Sequence, residues 1–207
     1  MNESYLVFTG RPNAGKSSII GGIFGLDAAA GKRPGTTRRI ARYPLSRDLS
    51  LVDMPGFGRI SRASRDVEER VKDEIIAFLE SNAGSIALAV HVLDISTYFE
   101  ATRRLDKKGY RSLDAEMIQF LAKNTGEFPL VAANKIDKTD EDGLKKSLRD
   151  LMHRISGERP SRIDDHVLPV SAKTGEGLGA LKSAIHERLV KEGHKAPFSA
   201  LSGARYR

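Results

Sequence analysis

The sequence contains no cysteine, which excludes a disulfide framework and any zinc site built from cysteine ligands. No stretch reaches the length of a transmembrane helix, and the first residues form a short apolar run without the long apolar region of a secretory signal. The five histidines show no metal-site spacing. These absences exclude secreted disulfide scaffolds, and we expect a cytoplasmic protein that does not insert into membranes.

Basic residues are in excess over acidic ones. Lys and Arg total 34 against 27 acidic residues, for a formal net charge of +7. This balance favours a polyanionic partner, although a solvated, soluble surface is the alternative. The basic residues group at 38–42, 59–65, 102–111 and 145–146. We expect nucleic-acid contacts from these groups, with solvated faces as the alternative, and we expect a monomer.

The order of apolar segments predicts the fold. A chain of 207 residues with 40% hydrophobic residues can bury one sizeable core. Short apolar runs alternate with helical spacing, which predicts an α/β domain with a mainly parallel six-stranded sheet and helices on both faces. The polar turn at 46–48 is too short for a parallel crossover, so it predicts one antiparallel strand. We expect the domain to cover residues 1–194 and a flexible basic tail to cover 195–207. The predicted strands are 5–9, 39–45, 49–53, 86–93, 130–133 and 167–170, and the predicted helices are 16–24, 66–79, 113–123, 143–155 and 178–190.

A phosphate-binding motif occupies residues 10–17, which read Gly-Arg-Pro-Asn-Ala-Gly-Lys-Ser between a strand and a helix. Its glycines let backbone amides approach phosphates as an anion nest, and the helix that begins at 15–16 adds the positive end of its dipole. We expect Lys16 to bridge the β- and γ-phosphates and the Ser17 hydroxyl to bind Mg²⁺. A glycine-rich turn without a ligand is the alternative, which the strand–loop–helix context disfavours.

Two further motifs point to the third phosphate. Asp53 closes an apolar strand, where a carboxylate holds Mg²⁺ directly or through water, and Gly56 can offer its amide to the γ-phosphate. An Asp that initiates a turn is the alternative. Thr37 is the candidate for a second magnesium hydroxyl, which would order its loop only when a γ-phosphate is present. Thr36 is the fallback, since the spacing does not separate the two neighbours.

The identity of the nucleotide base is indicated by the motif Asn134-Lys135-Ile136-Asp137, which follows a buried strand. Asp137 can accept hydrogen bonds from guanine N1–H and the exocyclic amine, whereas adenine lacks both donors and would leave the carboxylate unpaired. The Lys135 stem can lie against the ring, and the amide of Ala172 can reach guanine O6. A surface turn is the alternative. The predicted nucleotide-binding residues are Gly10, Arg11, Pro12, Asn13, Ala14, Gly15, Lys16, Ser17, Ser18, Gly35, Thr36, Thr37, Asp53, Gly56, Asn134, Lys135, Asp137, Ser171, Ala172 and Lys173.

The ordered motifs resemble those of translation-factor-related P-loop GTPases, and among these the EngB (YihA-type) ribosome-assembly GTPases of the archaeal branch. G-R-x-N-x-G-K-S-S at 10–18, P-G-x-T-R at 34–38, L-V-D-x-P-G-F-G at 51–58 and the insertion at 102–111 carry the resemblance, which covers residues 5–192. It implies a single Ras-like domain, GTP hydrolysis, and an association with cell division and septation. It also implies a partner in the large ribosomal subunit or its rRNA, so we expect the basic groups to contact RNA and not DNA. Bacterial members commonly have Thr-Lys-x-Asp for base recognition, whereas this chain has Asn-Lys-Ile-Asp at residues 134–137.

The loop Arg-Pro-Asn-Ala at 11–14 equally resembles the G domains of MnmE and Era. The alternative function is therefore a GTP-gated RNA- or protein-binding module with negligible turnover of its own.

Catalysis is less clearly indicated than binding. Lys16, Thr37 and Gly56 are the catalytic candidates, but Phe57 stands where Ras-like enzymes have the Gln that orients water, which predicts slow intrinsic hydrolysis. Asn13 matches the position that binds K⁺ in several related GTPases, and a K⁺ there would neutralise developing charge. Bracing of the loop by Asn13 is the alternative.

Arginine and histidine are the other residue types with potential for catalysis. Arg38 and Arg39 follow the threonine pair, and we favour a solvent or rRNA role for both over a contact with the phosphates. His91 lies in an apolar run, and we expect a satisfied core residue rather than a catalyst.

Overall fold

The computed structural model describes residues 3–26, 39–59, 63–156 and 164–202. Gly35, Thr36, Thr37 and Arg38 lie outside these ranges, as do residues 60–62 of one basic group. The roles that the sequence suggests for the glycine and the two threonines therefore stay predictions.

Six strands form one sheet in the order β2-β3-β1-β4-β5-β6. Only β2 runs antiparallel to its neighbour among the described strands, which confirms the predicted mainly parallel sheet. The central strands read as continuous apolar runs because helices cover both of their faces. The strands are β1 (Ser4–Gly10), β2 (Ala41–Pro44), β3 (Leu49–Asp53), β4 (Ile86–Asp94), β5 (Leu130–Asn134) and β6 (Val167–Val170).

Helices pack on both faces of the sheet, as predicted. On one face α1 and α6 bury Ile19, Ile20 and Leu181 against Phe8 of β1. The other face carries α2, α3, α4 and α5, whose apolar residues form two further clusters with β1, β4 and β5. None of the described helices combines the length and the apolar character needed to cross a membrane. The helices are α1 (Lys16–Phe24), α2 (Arg65–Ser81), α3 (Tyr98–Asp106), α4 (Leu113–Thr125), α5 (Glu141–Ser156), α6 (Leu178–Lys191) and α7 (Ser199–Ser202).

Two segments differ from the sequence analysis. Helix α3 was not predicted, because its segment is polar and buries only Tyr98 and Thr102. The segment expected to begin a flexible tail is anchored over residues 195–202. The Phe198 ring packs on Phe24 with centroids 5.3 Å apart, and the amide of Ala200 donates to the carbonyl of Leu45 at 2.9 Å. These contacts link the chain beyond α6 to the core, and residues 203–207 lie outside the described ranges.

Candidate nucleotide-binding site

The loop between β1 and α1 requires glycine at two positions. A side chain at Gly10 would collide with the carbonyl oxygen of Val92 on β4, and one at Gly15 would collide with the side-chain amide of Asn134. Gly15 also has φ 97°, a left-handed conformation that strains other residues. The sheet and the Asn134 side chain therefore fix the path of the loop, which leads its backbone into the N-terminus of α1.

Lys16 and Asp53 form a buried ion pair at the start of α1. Their side chains are 6% and 0% exposed, and Lys16 Nζ donates to Asp53 Oδ1. Burial lowers the pKa of the Lys16 ammonium, and the neighbouring carboxylate acts in the opposite direction. In the described part of the chain, the other Asp53 oxygen is buried without a hydrogen-bond partner. Such an acceptor requires a cation or a donor, so these residues, with half-buried Ser17 next in α1, fit a magnesium site.

The segment after β3 packs against the phosphate-binding loop. A side chain at Gly56 would lie 2.8 Å from the Pro12 nitrogen, which requires glycine for this approach. Phe57 is 5% exposed and turns into the core, where its ring lies 5.8 Å from the ring of His91. The position after Gly56 therefore presents no polar side chain to the loop.

A buried polar chain connects this region to α4. His91 Nδ1 lies 2.9 Å from Thr9 Oγ1, and His91 Nε2 lies 3.1 Å from Asp114 Oδ1. The other Asp114 oxygen lies 3.9 Å from the guanidinium of Arg11 in the loop. His91 is thus a satisfied core residue, as predicted. The sequence analysis missed Asp114, although a carboxylate in the first turn of a helix, after a Ser cap, is a recognisable signal.

Asn134 connects three segments of the site. Its Nδ2 donates to the Ala14 carbonyl at 2.8 Å, and its Oδ1 accepts from the Ala172 amide at 3.0 Å. The next residue, Lys135, has φ 71° and donates from Nζ to Asp94 Oδ2 at 2.6 Å. The conformation of the loop after β5 is therefore set by side chains that also hold the loops after β1 and β6.

Asp137 lies beside the loop after β6. Its Oδ1 accepts a hydrogen bond from Ser171 Oγ at 2.6 Å, and Lys173 Nζ lies 3.9 Å from its Oδ2. The Ser171 hydroxyl is the main reason that the pKa of Asp137 lies below its ordinary value. The carboxylate is therefore ionised at neutral pH, and its remaining lone pairs can accept further hydrogen bonds.

The predicted residues within the described ranges come together at the carboxyl ends of β1, β3, β5 and β6, the edge where ligands bind in open α/β sheets. Ser18 is exposed on the first turn of α1. Asn13 is exposed with φ 63°, and it lines a cavity of about 180 Å³ together with Arg11 and Lys135.

Comparisons with known proteins agree with this geometry. Residues 5–135 match the family described as "50S ribosome-binding GTPase". The chain is 41% identical over 192 residues to a probable GTP-binding protein EngB of Methanopyrus kandleri, covering 91% of this chain and 94% of the relative. It is 38% identical over 185 residues to the protein of that name in Methanosarcina mazei, covering 89% and 87%. The crystal structure of a probable GTP-binding protein engB superposes with a TM-score of 0.81 at 36% identity, covering 91% of this chain and all of the other.

Proposed function

Because the chain belongs to the EngB family of GTP-binding proteins and is a GTPase, we propose that it acts as a GTP-dependent switch in assembly of the large ribosomal subunit. Its own rate of hydrolysis is low in this proposal, and it works in the cytoplasm. The family description as a 50S ribosome-binding GTPase supports the choice of partner. The association with cell division and septation that the resemblance implies would follow from the supply of ribosomes.

The buried side chain of Phe57 is the observation that carries the switch proposal. A residue at this position can orient the attacking water only if it is polar and faces the phosphates. Phe57 is 5% exposed and packs in the apolar cluster that contains Val71 and Met117. In the switch proposal a partner supplies the missing group, so the GTP-bound state persists until that partner is engaged.

The phosphate subsite uses two residues that the structure pairs with each other, Lys16 and Asp53. Lys16 turns from Asp53 to the β- and γ-phosphates, and the Gly56 amide donates to the γ-phosphate. Asp53 and Ser17, with Thr37 or Thr36, hold Mg²⁺. The ion neutralises charge on the phosphates when bound. The unpaired buried oxygen of Asp53 supports this assignment, since it leaves one acceptor available for the ion or its water.

The base subsite reads guanine through an ionised carboxylate. Asp137 accepts from guanine N1–H and the exocyclic amine, and the Ala172 amide donates to O6. In the structure the Ala172 amide donates to Asn134 Oδ1, so in this proposal it exchanges that acceptor for guanine O6. Ser171 holds Asp137 in place through its hydroxyl. The stem of Lys135 lies against the ring, since its ammonium is held by Asp94.

Asn13 is the candidate ligand for an activating K⁺. Its side chain is exposed beside the loop, and its backbone has the left-handed conformation that Asn tolerates. K⁺ bound there would supply positive charge of the kind that an arginine finger supplies in other GTPases.

Co-sedimentation with ribosomal particles on sucrose gradients tests the proposal. The protein should migrate with the large subunit when loaded with a non-hydrolysable GTP analogue and stay at the top with GDP. The matched control is Asp137→Asn, which should migrate with a xanthosine triphosphate analogue and not with the GTP analogue. Failure to migrate with either nucleotide at low salt would overturn the ribosomal proposal.

The burial of Phe57 also favours a second function, a GTP-gated RNA- or protein-binding module with negligible turnover. Turnover measured with and without large subunits separates the two. Stimulation by the subunits supports the assembly switch, and a rate that stays negligible with them supports the binding module.

A further inference from the structure

The last turn of α3 and the connector from α3 to α4 carry a group of exposed positive charges. Residues 103–111 contain five basic side chains, all exposed, and in the described part of the chain none of them forms an ion pair. The acidic residue in this stretch is Asp106, whose two oxygens accept from Arg154 at 3.0 and 2.6 Å. We call this set the connector surface: Arg103, Arg104, Lys107, Lys108, Arg111 and the aromatic Tyr110.

Tyr110 displays an aromatic ring in the middle of this charge. It is 64% exposed, more than any other large hydrophobic residue in the described ranges. Its backbone is held in place, since the amide of Tyr110 donates to the Leu105 carbonyl at 3.0 Å and the amide of Gly109 to the Asp106 carbonyl at 3.0 Å. Gly109 allows this tight turn with φ 72°. The ring is thus presented on a fixed backbone, which reduces the entropy that a ligand must overcome.

A groove lies next to the ring. It has a volume of about 410 Å³, and its lining includes Tyr110, Arg111, Glu116, Gln119, His153 and Arg154. This volume falls in the range of small-molecule sites, and the lining offers both donors and acceptors. The groove therefore suits a flat ligand with hydrogen-bond donors and acceptors on its edge, and the basic residues around the groove suit a negatively charged group attached to that ligand.

We propose that the connector surface docks an unpaired segment of RNA, with one base stacked on Tyr110, a neighbouring base in the groove, and the backbone phosphates near the five cations. An exposed aromatic ring between cations is how proteins bind single strands, because each unpaired base offers a flat face for stacking. A duplex covers those faces. The proposal rests on the proposed function, in which ribosomal RNA is the partner.

Helix α3 places this surface close to the nucleotide site. The helix has nine residues and is therefore about 14 Å long. At its first turn, Tyr98 lines the same small cavity as Asn13 and Lys135. RNA on the connector surface would thus lie one short helix away from the phosphate-binding loop.

Fluorescence anisotropy with the full chain and a labelled eight-nucleotide unpaired RNA tests the proposal. Tyr110→Ala should weaken binding about tenfold or more, and Tyr110→Phe should retain it, because the stacking face remains. Lys107→Gln/Lys108→Gln should reduce the slope of log K against log salt by about 1.4. The matched control Lys182→Gln/Lys191→Gln removes the same charge from exposed positions on α6, across the sheet, and should bind like the parent protein.

Three results would overturn the proposal: parent-like binding by Tyr110→Ala, equal affinity for a duplex of the same sequence, or equal affinity for a polyglutamate peptide. The same variants on sucrose gradients separate this proposal from the proposed function. If the parent protein and Tyr110→Ala migrate equally with large subunits, the connector surface is not the dock and the proposed function stands. If the parent protein does not migrate, the proposed function fails, and the anisotropy result still decides whether the surface binds unpaired RNA.

Discussion

The buried pair Lys16–Asp53 gives a stability prediction for the nucleotide-free protein. The two side chains are 6% and 0% exposed, so the Asp53→Asn substitution leaves an ammonium group in the interior without its countercharge. Removing one partner of a buried ion pair costs about 3–5 kcal/mol. Asn keeps one acceptor for Lys16, so we expect the low end of this range, about 3 kcal/mol of the free energy of unfolding.

Urea denaturation of nucleotide-free protein in EDTA measures this cost. The double variant Lys16→Met/Asp53→Asn removes both charges at nearly constant volume, and it should recover most of the loss. GDP should reduce the difference in the free energy of unfolding between Asp53→Asn and the parent protein, because phosphate oxygens replace the missing countercharge of Lys16. The reasoning is wrong if Asp53→Asn is as stable as the parent protein, or if the double variant is as unstable as the single one.

Three further predictions concern separate parts of the molecule. Asp137→Asn removes two charged hydrogen bonds of about 1.5 kcal/mol each, so a titration with fluorescent nucleotides should show about 100-fold weaker GTP binding and a gain for xanthosine triphosphate. GTP turnover should be faster in KCl than in NaCl. The Asn13→Gly substitution should remove this difference, and glycine tolerates the φ of 63° at this position. Equal turnover of the parent protein in the two salts would eliminate the K⁺ proposal. His166 directly precedes β6, and its Nδ1 lies 3.1 Å from the Phe128 carbonyl oxygen. Burial lowers the pKa of His166 from 6.5, so its contribution to the free energy of unfolding is full above pH 6.5 and is lost as the pH falls through the lowered pKa. Urea midpoints should fall less steeply with acid in His166→Gln, and an unchanged pH profile would contradict this assignment.

The central part of the fold could be predicted from sequence because local and tertiary signals agree there. Helix α1 and strand β3 have the predicted bounds, since a glycine-rich loop precedes one and a tight polar turn precedes the other. The parallel strands were recognisable because burial on both faces makes their sequences continuously apolar.

Helix α3 and the anchored segment after α6 could not be predicted, because distant residues stabilise them. Thr102 of α3 donates to Asp150 of α5 at 2.8 Å, a contact between residues 48 positions apart. The segment after α6 is held by the Phe198 ring and by the hydrogen bond from the Ala200 amide to the Leu45 carbonyl, and no periodic sequence pattern indicates either contact. The burial of the Phe57 side chain in the core could not be predicted from the motif at residues 53–57 either, because the motif indicates only that a polar side chain is missing after Gly56.

The contacts of Asn134 imply that the phosphate and base subsites behave as one unit. Its amide group satisfies the Ala14 carbonyl and the Ala172 amide at once, and Gly15 lacks the side chain that would displace it. A shift of the phosphate-binding loop must therefore break a buried hydrogen bond or carry the base-reading loop with it, and a broken bond of this kind costs about 1–3 kcal/mol. In the proposed function, this connection would couple the affinity for guanine to the position of the phosphates. Arg11 also connects the loop to the buried chain of His91 and Asp114, and the ring of Phe57 lies beside the His91 ring of that chain.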